Sequence, residues 1–171
     1  AARPDRIFHL AAISQVKASW DKRKETIETN ILGTFNLFEA VRLHAPSARI
    51  LFVSSSDVYG KQGPESMPLR ETARTGAASP YGFTKLSGEA MAGFYVRSEN
   101  LRIVIARPFT HTGPGQSPDF VCSDWARQIA VIEAAGKPKG ALKVGNLAVK
   151  RDYSDVRDVV RAYALLLEKG K

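Results

Sequence analysis

The chain has 171 residues, 44% hydrophobic and 25% charged, with a formal net charge of +8 and a single cysteine. That length and apolar content suit a folded core, and a lone Cys122 excludes both an intrachain disulfide and a multi-cysteine zinc site. No run of about 18 apolar residues offers a membrane helix, and basic residues scattered without an aromatic-interleaved stripe favour an anionic small molecule over nucleic acid or a membrane as partner.

The opening AARPDRIFHLAA lacks the order of a secretion signal, so a cytoplasmic location is the expectation. Within it, Arg6 to Ala12 is a short apolar run closed by small residues. This is the pattern of a buried parallel strand whose end admits a ligand edge. From about Lys22 to His44, Ile27, Ile31, Phe35, Phe38 and Val41 recur at helical intervals and Pro46 ends the run, which predicts one long amphipathic helix. Asn30 falls on its inward side and must bond there, either to adjacent backbone or to a ligand.

Arg49 to Val53 reads as the next strand and runs directly into Ser54-Ser55-Ser56-Asp57-Val58-Tyr59-Gly60. Hydroxyls just past the carboxyl end of a buried strand lie where open α/β sheets hold ligands, although three serines also suit a plain polar loop. Residues 61 to 78 read as a surface loop. Ser79 then offers an N-cap and Pro80 suits the first helical position, so a helix starts here and continues through Met91 and Tyr95. Tyr81 and Lys85 share one face of that helix, a turn apart. An ammonium at about 4 Å can stabilise a phenolate by roughly 4 kcal/mol, enough to bring its pKa from about 10 to about 7. A tyrosine so tuned exchanges protons with an alcohol or ketone near neutral pH. The bland alternative is a surface lysine beside a half-buried tyrosine.

Leu101 to Ala106 is a third strand, ending in the turn-rich Arg107-Pro108-Phe109-Thr110-His111-Thr112-Gly113-Pro114-Gly115. Asp119 to about Ala135 reads as a helix with Phe120, Trp125, Ile129 and Ile132 inward, among which Cys122 is a packed thiol rather than a nucleophile. A short strand is expected near Leu142 to Val144, and a last helix from Ser154 or Asp155 to Glu168. Asp155 and Asp158 suit the start of that helix through its dipole. Strands alternating with helices define an α/β chain with a doubly wound parallel sheet.

HLAA (His9 to Ala12), TNILGTFNLFEA (Thr29 to Ala40), SSSDVYG, SPYGFTK, RPFTHTGPGQSPDF (Arg107 to Phe120) and GNLAVKRDYSDVRD occur in this order over nearly the whole chain. In these motifs the chain resembles the extended short-chain dehydrogenase/reductases, the NAD(P)-dependent nucleotide-sugar epimerases, dehydratases and reductases. Within that group its motifs are most similar to reductases of GDP-4-dehydro-6-deoxy-D-mannose, with GDP-mannose 4,6-dehydratases next. The resemblance implies a Rossmann-type sheet. Residues 1–110 would form the second part of a dinucleotide-binding domain, and 111–171 mainly a substrate-binding part with elements returning to the first.

The resemblance also implies roles. Tyr81 would be the acid/base, Lys85 would lower its pKa and bond the nicotinamide ribose, and Ser55 would be the catalytic hydroxyl. Leu10, Ala11, Ala12 and Arg107 would line NAD or NADP together with Tyr81 and Lys85. Ser55, Ser56, Asp57, Thr110 and Arg151 would face a GDP-sugar, with Arg151 on its pyrophosphate; taken alone, Arg151 reads as a surface partner of Asp152 or Asp155. No metal is implied. A homodimer through the helices around 32–41 and 86–95 is the family habit, while the same apolar positions also suit a core.

Three positions depart from the pattern. Asp57 stands where dehydratases carry a Glu, which tilts the expectation toward a reductase; Thr110 replaces an Asn, and Ala148 an acidic residue. The family's G-x-x-G-x-x-G strand–turn does not occur in residues 1 to 12, so an internal portion of a longer chain is expected. A non-catalytic nucleotide-sugar-binding piece is the alternative of another class.

Overall fold

The computed structural model describes residues 3–136 and 139–170. Three parallel strands, β1 (Arg6–His9), β2 (Arg49–Val53) and β3 (Arg102–Ala106), form a sheet in the order β1-β2-β3, with Arg6 opposite Arg49 and Arg49 opposite Arg102. The chain divides into two compact units, one running to Pro108 and resuming at Ala162, the other Phe109–Arg161.

In the first unit β2 is central, and Ile50, Leu51 and Phe52 are fully buried, as an uninterrupted apolar run between two neighbours requires. β1 is less enclosed than its sequence suggests. It is paired on one side only, and its residues alternate between exposed and half-buried.

The helical stretch after β1 begins earlier than expected and is not uniform. It comprises α1 (Val16–Asp21), α2 (Arg23–Ile27), a π turn at Glu28–Leu32, and α3 (Gly33–His44). The wider turn shifts which residues face inward. Phe38 and Val41 are buried as expected, but Ile27 and Phe35 are exposed, and Thr26, Asn30 and Thr34 take the inward positions.

The helix α4 (Pro80–Glu99) starts where its cap requires, with the Gly82 N–H donating to Ser79 Oγ at 2.9 Å. It ends at Asn100 in the left-handed region. Phe38, Val41, Ile50, Phe52, Ala92, Tyr95 and Leu101 form the core between α3, α4 and the sheet. Gly88 permits this approach, because a Cβ there would sit 2.3 Å from the Phe52 ring. On the opposite sheet face lie Leu51 and its register partner Val104, against which Gly170 packs just past α6 (Val156–Lys169). Arg49 fastens that end by donating to the carbonyls of Glu168 and Gly170. Helices thus cover both faces, the doubly wound arrangement read from the sequence.

The second unit holds a parallel pair, β4 (Thr110–Thr112) and β5 (Tyr153–Asp155), and helix α5 (Val121–Ala134). The pair was not foreseen, and β5 occupies residues expected to start the last helix. No residue of α5 is fully buried, so Trp125 and Ile132 are only half-covered and Ile129 is exposed. Leu142–Val144 is not a strand. The Gln128 side chain accepts from the Lys143 N–H at 2.8 Å and donates to its carbonyl at 3.1 Å, giving that backbone the partners a neighbouring strand would supply. Cys122 is half-buried beside Tyr153. Asp155 accepts from the Arg157 N–H at 2.8 Å and caps α6. Among the described residues no helix is long and apolar enough to cross a membrane, and no cluster of His, Cys, Asp and Glu is placed to hold a metal.

Candidate active site

The carboxyl end of β2 meets the first turns of α4, and the contact is built almost wholly from buried polar groups. Ser55 has extended backbone, caps the short turn Ser56–Tyr59 by accepting from the Asp57 N–H at 3.2 Å, and lies close enough to the Tyr81 phenol to lower its pKa. Ser55, Tyr81 and Lys85 are each at most 9% exposed, so a proton exchanged among them is shielded from bulk water.

Lys85 donates to the Val53 carbonyl at 2.7 Å, and its ammonium lies 5.9 Å from the centre of the Tyr81 ring. Burial lowers the lysine from 10.5 to about 8. The Tyr81 phenol moves opposite to the expectation: burial raises it above 10, Ser55 offsets part of the rise, and the Asp57 charge adds to it. Burial is the largest of these causes, and Lys85 is not among the groups that shift the phenol. Raised above 10, the phenol keeps its proton at neutral pH.

Around this cluster the backbone is pinned by groups that carry little or no sign of a role in the sequence. Asn30 accepts from the Ile13 N–H at 2.8 Å and donates to the Ile13 carbonyl at 3.1 Å and to Thr84 Oγ1 at 2.9 Å. It joins the segment after β1 to the Tyr81 helix, the backbone-pinning alternative of the two open for it. Ser19 Oγ accepts from the Tyr81 N–H at 3.2 Å, and Thr84 Oγ1 donates to the Tyr81 carbonyl at 2.8 Å. His9 pairs with Thr34 Oγ1 at 2.9 Å, and burial, then Lys85, depress its pKa, leaving it neutral at pH 7. The buried Tyr163 hydroxyl has no hydrogen-bond partner among the described residues, and burial, then the Tyr81 charge, push it up to about 12. Only Asn30 carried a signal, as a polar residue on an apolar face. Ser19 and Tyr163 gave none, since either fits an ordinary helix.

Leu10 and Ala11 are exposed just past β1, and Ala12 is half-buried. Ser56 donates its N–H to the Pro108 carbonyl at 3.0 Å. Arg107, expected beside a cofactor, is held within the fold: Nε and NH2 donate to Glu89 at 2.8 and 2.6 Å, and NH1 to the Glu71 carbonyl at 3.0 Å. Thr110 and Arg151 belong to the other unit and are exposed. Arg151 forms neither ion pair open to it, Asp155 being held by Arg157.

A parallel sheet whose strand end presents Ser55 to a buried Tyr81, with Lys85 one turn on, is a Rossmann-type arrangement. Residues 1–171 match the family described as GDP-mannose 4,6 dehydratase, and the chain belongs to that family. It is 38% identical to the GDP-6-deoxy-D-mannose reductase of Pseudomonas aeruginosa, over 98% of this chain and 55% of that protein. The structure of RMD from Pseudomonas aeruginosa complexed with NADPH superposes with a TM-score of 0.94 at 37% identity, covering 99% of this chain and 57% of that one. A UDP-glucuronic acid 4-epimerase from Bacillus cereus, solved with UDP-glucuronic acid and NAD, gives 0.81 at 32% identity over 98% of this chain and 50% of that one. The chain thus spans about half the length of the relatives it matches.

Proposed function

We propose that this chain carries the proton-donating half of a nucleotide-sugar reductase that reduces the C4 ketone of GDP-4-dehydro-6-deoxy-D-mannose to GDP-D-rhamnose or a close epimer. A buried Tyr81 beside Ser55 at the end of the central strand is the observation that carries this reading, because reduction of a ketone needs a proton delivered to the forming alkoxide. Ser55 orients that proton. Lys85 spends one ammonium donor on Val53 and has others to offer a ribose hydroxyl, and Leu10 and Ala11 present an open edge past β1; both features suit a nicotinamide cofactor. NADH or NADPH bound there would supply the hydride. Arg151, exposed and without an ion pair among the described residues, suits a sugar-nucleotide pyrophosphate, with Ser56, Asp57 and Thr110 as further substrate contacts.

The similarity to the reductase favours this chemistry. A 4,6-dehydratase is the second reading: Asp57 keeps a carboxylate beside Tyr81 where those enzymes carry a Glu, while its shorter side chain tilts the choice toward the reductase. A second copy of the chain is the proposed protein partner. Leu32, Phe35, Phe83 and Phe94 are each more than two-fifths exposed on the helices the family uses to dimerise.

The test is the loss of 340 nm absorbance when the full-length gene product meets NADPH or NADH and the 4-keto sugar. Turnover that Tyr81→Phe reduces at least about 100-fold while GDP affinity holds supports the reading. Dehydration of GDP-mannose without added keto-sugar selects the dehydratase. Full turnover in Tyr81→Phe removes Tyr81 from the chemistry.

A further inference from the structure

One buried charged junction is not used by the chemistry proposed above. Glu89 follows Lys85 by four residues and Tyr81 by eight, so all three lie along one side of α4. The Glu89 carboxylate accepts from Ser54 Oγ at 2.5 Å, the residue before Ser55. It also holds Arg107, the residue after β3, through two bonds at 2.8 and 2.6 Å. Arg107 in turn donates to the Glu71 carbonyl and lies 4.9 Å from the centre of the Tyr59 ring. The backbone closes the frame, with the Ser54 N–H donating to the Ala106 carbonyl at 2.8 Å and the Ser56 N–H to the Pro108 carbonyl at 3.0 Å.

We propose that Glu89 is a positioning residue for the Ser55–Tyr81 pair. Held by Ser54 on one side and Arg107 on the other, it fixes the Tyr81 helix against the ends of β2 and β3 and so sets the separation of the two hydroxyls. Stability alone does not call for this arrangement, because well-packed apolar residues replace buried ion pairs at little or no cost. What an apolar contact lacks is direction. A planar guanidinium on a planar carboxylate fixes angle as well as distance, and the Ser54 bond passes that register to its neighbour Ser55. Glu89 is 8% exposed and Ser54 1%, so water cannot stand in for either partner.

The inference rests on the reading of Ser55 and Tyr81 as the proton-donating pair, and its test separates the two. In the full-length gene product, Ser54→Ala cuts the link while leaving the Glu89–Arg107 pair and the other groups facing Tyr81, namely Asp57, Lys85 and Tyr163. The expected result is a fall in kcat of about 10- to 100-fold with KM for the sugar nearly unchanged. Ser54→Ala should add no loss in a Ser55→Ala background, since both act through one hydroxyl. Ser54→Thr, which keeps the hydroxyl, should restore the rate. An activity-independent readout is the phenolate difference spectrum against Tyr81→Phe. Tyr81 should titrate higher in Ser54→Ala than in wild type, and Glu89→Leu serves for the same measurement if Ser54→Ala does not fold. An unchanged Tyr81 titration, or a full additional loss from Ser54→Ala without Ser55, overturns the positioning role. A Tyr81 titration that rises in Ser54→Ala, together with a wild type that reduces no keto-sugar, overturns the functional reading and leaves the positioning role supported.

Discussion

The Lys85 ammonium donates to the Val53 carbonyl at 2.7 Å, so a charged group on the Tyr81 helix is fastened to the last residue of the central strand. That bond holds an amine where burial disfavours its charge, and its pKa falls to about 8. The lysine is charged at pH 7 but at a cost, and at about pH 8 it is half neutral.

Lys85 therefore makes stability depend on pH in a definite direction. The folded pKa lies below the ordinary 10.5, so the cost of charging is fully present below about pH 8 and disappears as pH rises from about 8 to 10.5. That cost is about 3 kcal/mol at pH 7, of which the lost Val53 bond returns roughly 1 when the amine is removed. Lys85→Met is expected to stabilise the fold at pH 7 by on the order of 2 kcal/mol, with the advantage gone by pH 10.5. Urea unfolding across this range checks it.

Tyr81 gives the opposite sign. Its phenol is raised above 10, so it keeps its proton through neutral and mildly alkaline pH. The rate of ketone reduction is expected to stay level from about pH 6 to 9 as far as this group is concerned, and to fall only as the phenol ionises. A pH–rate profile that falls near 7 would show that the bound site shifts Tyr81 down by several kcal/mol, roughly 1.4 per decade.

Asn30 supports three hydrogen bonds in a site 3% exposed. Asn30→Leu keeps similar bulk but strands the Ile13 N–H and carbonyl. The expected loss is roughly 2–4 kcal/mol in chemical denaturation, with the segment after His9 becoming more accessible to hydrogen exchange.

Gly88 tests the contact between α4 and the sheet. A Cβ at this position meets the Phe52 ring at 2.3 Å, so Gly88→Val forces the helix away from the strand. About 1–3 kcal/mol of stability is expected to be lost. Phe52→Leu in the same protein should recover part of it, which thermal unfolding of the single and double variants would reveal.

The sequence by itself determined the three strands β1, β2 and β3, the capped start of the Tyr81 helix and the motif order that marks the family. These are local properties: an apolar run of strand length, a Ser-Pro cap and a one-turn Tyr–Lys spacing act within a few residues. It missed the π turn at Glu28–Leu32, and with it the exposure of Ile27 and Phe35, because the turn answers to Asn30 reaching Ile13 and Thr84 across the fold. The pair β4 and β5 escaped notice for a similar reason, since each strand is three residues long and exists through its partner. Spacing brought Lys85 near Tyr81, but only the tertiary structure decided the sign of the effect. Desolvation depends on how completely the fold encloses a group, and here it is the largest cause acting on the phenol. The ties of Arg107 and Ser54 to Glu89 were likewise fixed only when two strand ends and a helix met, since such contacts leave no periodicity in the chain.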